Sequence, residues 1–207
     1  MKSSSKSKDV FKAFLGNLKE KYEELTDYRN DISWRFFQGK APEAYRLDFD
    51  SSSWETVTLP FRFDARKGEA WLRCKITIPE EVQGIKTQNS TVKLSSSAIL
   101  DKSEIFVDER KVLSAEYWME LRPKVLLDER AEPGREHVIA IHLFPKSEPV
   151  DIPEFHVMYS DVEKIAFEID SFIQEIRFAS FLDEKFARRV LEEFDSSVFK
   201  HNLLSLM

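Results

Sequence analysis

Four histidines, one cysteine and thirty-seven carboxylates are the residues of this 207-residue chain whose types could support catalysis. Their spacing does not assemble a centre. His137 and His142 lie five apart on one expected strand, and an odd spacing points them to opposite faces, so they cannot share a metal ion there. His156 and His201 have no Cys or His at ligand spacing. The carboxylates fall in charge runs such as Glu80-Glu81, Asp128-Glu129 and Glu192-Glu193. Glycoside cleavage needs two of them held about 5–10 Å apart across a sugar, whereas turns and solvated faces account for runs of this kind. Cys74 sits on the apolar face of its strand, which makes it core filler rather than a nucleophile. No Gly-x-Ser-x-Gly elbow occurs, and five glycines in the chain leave no phosphate-cradling loop. An independent small hydrolase is the weakest reading.

The aromatics give a better lead. Trp71 stands on the polar face of its strand with Arg73 and Lys75 at the next two positions of that face. An indole placed there must be covered by a flanking helix, by another domain or by a sugar ring, because sugars stack their C–H faces on Trp while polar neighbours bind their hydroxyls. Tyr117 and Trp118, flanked by Glu116 and Glu120, form a second aromatic pair in an expected loop, and loops at sandwich ends often carry a ligand site. The carbohydrate-binding candidates are therefore Trp71, Arg73, Tyr117 and Trp118. No catalytic and no metal-binding residue is assigned.

The elements that must position these residues are mostly strands. Ala70, Leu72, Cys74, Ile76 and Ile78 alternate with Trp71, Arg73, Lys75 and Thr77, the period-two pattern of a half-buried strand. Shorter strands are expected at 45–49, 54–59, 91–94, 103–108, 121–127 and 137–144, with a type II turn at Glu132-Pro133-Gly134-Arg135. Strands at this spacing predict a mainly β domain, an antiparallel β-sandwich, over residues 44–150. A Ser/Lys-rich tail, 1–9, precedes a helical segment over 10–37, with Asp9 as N-cap and Phe11, Phe14, Leu15, Leu18, Tyr22 and Leu25 as its apolar stripe. Residues 154–207 read as a C-terminal helical segment, with a stripe from Val162 to Ile176 that covers the sandwich, the first helix or a partner.

Composition narrows the partners. Seventeen Phe point to a core or contact surface built from aromatics. The net charge of −6 argues against nucleic acid as a partner. The N-terminus lacks the apolar core of a secretory signal, and no run of about 18 apolar residues would span a membrane. A single cysteine allows no internal disulfide, and a cytoplasmic location is expected.

Three motifs carry a family resemblance: Trp54-Glu55-Thr56-Val57-Thr58-Leu59-Pro60, Gly68-Glu69-Ala70-Trp71-Leu72-Arg73 and Ile76-Thr77-Ile78-Pro79. Ile105-Phe106-Val107-Asp108 and Glu132-Pro133-Gly134-Arg135 extend it. The stretch they mark out, roughly residues 50–145, is about half of the chain. The stretch resembles the sugar-binding-like, jelly-roll region at the N-terminus of α-mannosidases of glycoside hydrolase family 38. The resemblance implies a jelly-roll, galactose-binding-like sandwich acting as a non-catalytic accessory domain. Its partner would be a catalytic domain in the same or an adjacent polypeptide, with a mannose-containing glycan and a second copy of the chain as further candidates. It implies no cofactor here, since the divalent metal of that family belongs to the catalytic domain. One departure stands out: the hairpin reads Val107-Asp108-Glu109-Arg110 and lacks the family's glycine. The alternative from another class is a free-standing interaction scaffold that uses its amphipathic helices.

Overall fold

The computed structural model describes residues 3–26, 32–96, 102–115, 124–145 and 150–182. In chain order the elements are helix α1 (Ser3–Thr26), strands β1 (Trp34–Gln38), β2 (Glu55–Val57) and β3 (Phe61–Phe63), a 3-10 turn (Ala65–Lys67), and strand β4 (Ala70–Thr77). There follow β5 (Glu81–Val82), β6 (Ile85–Lys86), β7 (Val92–Ser96), β8 (Ser103–Val107), β9 (Arg110–Ala115), β10 (Lys124–Asp128), β11 (Glu136–Leu143), β12 (Val150–Ile152), β13 (Phe155–Tyr159) and helix α2 (Ser160–Leu182). The chain divides into two compact units. Residues 29–80 and 87–160 form a β-sandwich unit; residues 1–28, 81–86 and 161–207 form a helical one.

The fold of the first unit is mainly β and antiparallel. One sheet has six strands in the order β2-β1-β4-β11-β8-β9, a second has three in the order β10-β7-β13, and β12 pairs with β3. On β4, Leu72 and Cys74 are buried, and so are Ile139 and Ile141 on β11 and Ile105 on β8. From the three-stranded sheet come Val92, Leu94, Val157 and Tyr159, also buried. The Trp34 and Phe155 rings, from one sheet each, meet at 5.6 Å. Each aliphatic side chain buried this way contributes about 1.5–3 kcal/mol. The Pro-Gly turn forms as its residues require: Gly134 has φ 85°, and Arg135 N donates to Glu132 O at 3.0 Å.

Three segments differ from the sequence expectation. Residues 34–38 are a strand rather than the end of a helix, and 45–49 form turns rather than a strand, despite the alternation of Tyr45, Leu47 and Phe49. Residues 155–159 are a strand, so the sandwich runs on to Tyr159 before the helical period begins. The expected glycine-free hairpin does form, with both central residues left-handed: Asp108 at φ 47° and Glu109 at φ 69°. In the three differing segments a long-range contact outvoted a short local pattern.

In the helical unit, α1 begins at Ser3 and runs through Asp9, which is therefore not its N-cap, and through most of the expected tail. Leu18 and Leu25 of its stripe are buried, and Phe14 meets Phe172 of α2 edge-on at 6.4 Å. The α2 stripe is buried at Val162, Ala166, Ile169, Phe172, Ile173 and Ile176. Lys21 Nζ donates to Gln83 O at 3.3 Å, which ties α1 to the β5–β6 hairpin. Among the described residues no helix is long and apolar enough to cross a membrane.

Candidate functional site

The second face of the six-stranded sheet, opposite the core between the sheets, carries Trp71 and Arg73. Both are buried, Trp71 to 2 % and Arg73 to 6 % exposure. What covers them is neither a helix nor a ligand. The segment between β1 and β2 folds across this face, and Ala41, Ala44 and Trp54 pack with Trp71, Phe106 and Ala140. Phe37, Tyr45 and Phe49 close the edges of the cluster. Phe37 stacks on Trp54 at 5.3 Å and Tyr45 on Phe106 at 5.0 Å. The alternation of β4 gave Trp71 its face correctly, and the cover required there is supplied by the β1–β2 segment of the sandwich itself rather than by a flanking helix, another domain or a sugar ring.

Arg73 explains why the cover is a run of turns. Its guanidinium donates to the carbonyls of Ala44 at 3.2 Å, Leu47 at 3.3 Å and Phe49 at 3.4 Å. A segment paired as a strand would spend those carbonyls on a ladder; here one side chain collects them. Burial lowers the guanidinium's pKa from its ordinary value, with Asp48 acting weakly the other way. It remains a charged, five-donor fork, which suits several carbonyls at once. Arg73 thus organises the loop from beneath. The cover is also tied at its tip, where Glu109 Oε1 accepts from Leu47 N at 2.8 Å.

The two histidines of β11 do fall on opposite faces. His137, 2 % exposed, pairs through Nδ1 with Asp108 Oδ2 at 2.7 Å. Because a carboxylate only accepts, that nitrogen carries the proton. Asp108 Oδ1 accepts from Val138 N at 2.9 Å, so one side chain secures the left-handed turn twice. His137 Nε2 lies 3.6 Å from Asp128 Oδ2 and makes no hydrogen bond, while Asp128 accepts from Arg135 Nη1 at 3.0 Å.

His142, on the outer face, stacks on Trp71 with ring centroids 3.9 Å apart and 12° between planes. Phe144 lies 3.9 Å beyond it. Its Nε2 bonds Glu69 Oε2 at 3.0 Å. Burial pulls its pKa below the ordinary histidine value, and the Glu69 carboxylate opposes that shift without cancelling it. Glu104, next to His142 across the β8–β11 pairing, holds Lys111 Nζ at 2.6 Å. This group of Glu69, His142, Glu104 and Lys111 is the polar end of the same face. Sequence reasoning weighed His142 only as a metal ligand; its place two residues before Phe144, on the face of Trp71's strand neighbour, was the signal available.

Tyr117, Trp118 and His201 lie outside the described residues. His156 pairs with Glu154 at 3.6 Å. Cys74 is buried, and burial pushes its thiol far above the ordinary range, so it carries no thiolate. Among the described residues no group of three or more His, Cys, Asp or Glu side chains is placed to hold a metal ion.

Comparison with family models gave no match, and comparison with curated proteins gave none. Solved structures do match in fold. A glycosyl hydrolase family 2 member from Bacteroides cellulosilyticus superposes with a TM-score of 0.51 at 16% identity, over 63% of this chain and 20% of that one. A beta-glycosidase from Bacteroides vulgatus gives a TM-score of 0.51 at 14% identity, over 63% and 20%. The chain thus covers 20% of the length of each of these two enzymes. The fold is therefore that of a β-sandwich found within a family 2 glycosyl hydrolase and a beta-glycosidase.

Proposed function

We propose that this chain is a non-catalytic accessory module of a glycoside hydrolase, acting in the cytoplasm to position a catalytic domain. The observation that carries the reading is the likeness of the sandwich to a part of a family 2 glycosyl hydrolase and of a beta-glycosidase. The described residues fit an accessory role. Two polar groups of the sandwich serve its own loops and turns: Arg73 beneath the 44–49 segment and Asp108 in its hairpin. The more specific assignment, to the α-mannosidases of family 38, is supported by the motif residues 54–60, 68–73 and 76–79, which run through β2 and β4. The structural likeness itself is to family 2, so the test must distinguish the two.

A tagged copy of the chain, expressed from its native locus and purified under mild conditions, supplies that test. The reading expects a glycosidase to co-purify. Turnover of an aryl α-mannoside by the complex supports the family 38 assignment, and turnover of an aryl β-glycoside supports family 2. A chain that purifies without any glycosidase activity overturns the accessory role.

One observation favours a second reading, an interaction scaffold. Phe167 and Phe178 on α2 are 72% and 66% exposed and lie eleven residues apart, three turns along one side of the helix. Large exposed aromatics in register are what a protein contact uses. A mass that rises with concentration, restored to monomer by Phe167→Ser with Phe178→Ser, supports it; a strict monomer counts against it.

A further inference from the structure

The end of the sandwich where the β8–β9 hairpin, the end of β10 and the start of β11 meet holds a buried group that the fold leaves half used. His137 is 2% exposed, and Nδ1 of its ring is bonded to Asp108 Oδ2 at 2.7 Å. Nε2 has no hydrogen-bond partner and lies 3.6 Å from Asp128 Oδ2. The Nδ1 proton is committed to Asp108, so in the neutral ring Nε2 is a lone-pair acceptor facing a carboxylate oxygen. Two acceptors set against each other out of water are unfavourable, and a proton between them removes the conflict.

Charge reaches this ring from both sheets. Asp108 comes from the hairpin of the six-stranded sheet and Asp128 from β10 of the three-stranded one. Arg135, from the turn before β11, donates from Nη1 to Asp128 Oδ2 at 3.0 Å, while Arg130 N donates to Oδ1 at 3.1 Å. The neighbouring strands place Ile76 beside His137 and Val92 beside Asp128. Lys75 and Glu136 pair with each other at 2.7 Å on the opposite face of the sheet, and Glu109, Arg110, Glu129, Arg130 and Glu132 are exposed. With a neutral ring, Arg135 leaves one of the two carboxylates uncompensated. With an imidazolium the charges balance, and each ring N–H has a carboxylate in front of it.

We propose that His137 is a proton-operated clamp between the two sheets. On acidification Nε2 takes a proton from solvent and donates to Asp128 Oδ2, which closes an Asp108–His137–Asp128 bridge. In the neutral form the ring is held from the hairpin side alone. Closing the last contact needs a shortening of under about 1 Å to reach charge-assisted hydrogen-bond length. A carboxylate oxygen has lone pairs enough to accept from Arg135 and His137 together. The clamp lies wholly within the sandwich and stands whether or not the chain serves a glycosidase.

The test follows the histidine ring nitrogens of the full chain by NMR from about pH 8 to about pH 5. Amide exchange of β10 is measured over the same range and corrected for intrinsic rates. His137 should gain a second ring N–H, at Nε2, and protection over 125–128 should rise at least about threefold. Asp128→Asn gives Nε2 a side-chain amide that donates to the neutral ring or accepts from the charged one, so this protection should lose its dependence on pH. His137→Gln, which carries no titrating group, should lose it as well. A ring that keeps a single N–H down to about pH 5 in the folded parent chain overturns the clamp. So does protonation that leaves β10 unchanged, or a pH-dependent rise that survives in Asp128→Asn. The first two of these outcomes are read on the parent chain and decide the matter even where a variant fails to fold.

Discussion

The two faces of β4 carry the same degree of burial for different reasons. On the inner face, Leu72 and Cys74 are buried by a second sheet, which any amphipathic strand in a sandwich requires. On the outer face, Trp71 and Arg73 are buried by an irregular segment that arrives from the loop between β1 and β2. The first is apolar contact alone. The second is a mixed arrangement in which a charged side chain orders a loop and aromatic rings seal it. Alternation decides which face a residue occupies, but solvent exposure depends on what else in the chain lands there.

If this contrast holds, truncation should hurt equally on both faces. Trp71→Ala is expected to cost about 3–5 kcal/mol, in the range of a fully buried core residue and close to the ~2–5 kcal/mol of Ile139→Ala. Chemical denaturation of the two variants checks this. A cost near 0.5 kcal/mol for Trp71→Ala, as for a solvated face, would break the comparison.

Arg73 sharpens it further. Arg73→Met keeps much of the apolar stem but leaves three carbonyls without their donor, and should cost about 2–4 kcal/mol. Arg73→Lys cannot reach the three acceptors as a fork and should recover only part of that. Hydrogen exchange of the amides over 44–49 should rise in both variants, with the inner-face strands unaffected.

The hairpin offers the next test. Asp108→Ala removes the acceptor for Val138 N and His137 Nδ1 and leaves an alanine in a left-handed turn, so about 2–3 kcal/mol of stability should be lost. Asp108→Asn keeps local acceptor capacity and tolerates φ > 0, and should lose less. Equal losses for the two would show that the carboxylate's contacts, not the left-handed turn, carry the effect.

The smallest effect concerns pH. His142 has its pKa lowered in the folded state relative to the ordinary 6.5. The unfolded chain therefore binds the proton more readily. The stability linked to this histidine is fully present above about pH 6.5 and is lost as pH falls below it toward the folded pKa. Melting temperatures between pH 7 and 5 should fall less steeply in His142→Gln than in the parent chain. Parallel slopes would remove His142 from the account.

Much of the sandwich was legible in the residues. The eight-residue strand β4, the Pro-Gly turn at 133–134 and the opposite faces of His137 and His142 follow from period two and from glycine's access to positive φ, both local rules. What was not legible depended on distant partners. The pattern at 45–49 satisfied period two as well as β11 did, yet became turns because Arg73 supplies donors to its carbonyls from 24 to 29 residues away. Strand β13 has no turn signal separating it from α2, so its place beside β7 could not be read from the helical run that follows. Glu69 and Glu104 are 35 positions apart in the chain and flank the same histidine only because β4, β11 and β8 are neighbours in one sheet. By itself the sequence determined the class of fold, the faces of its longest strands and the helical stripes, because these depend on spacing within a few residues. Only the tertiary structure decided which polar face was sealed and which carboxylates met His142, because strand order and loop coverage are set by contacts between residues far apart along the chain.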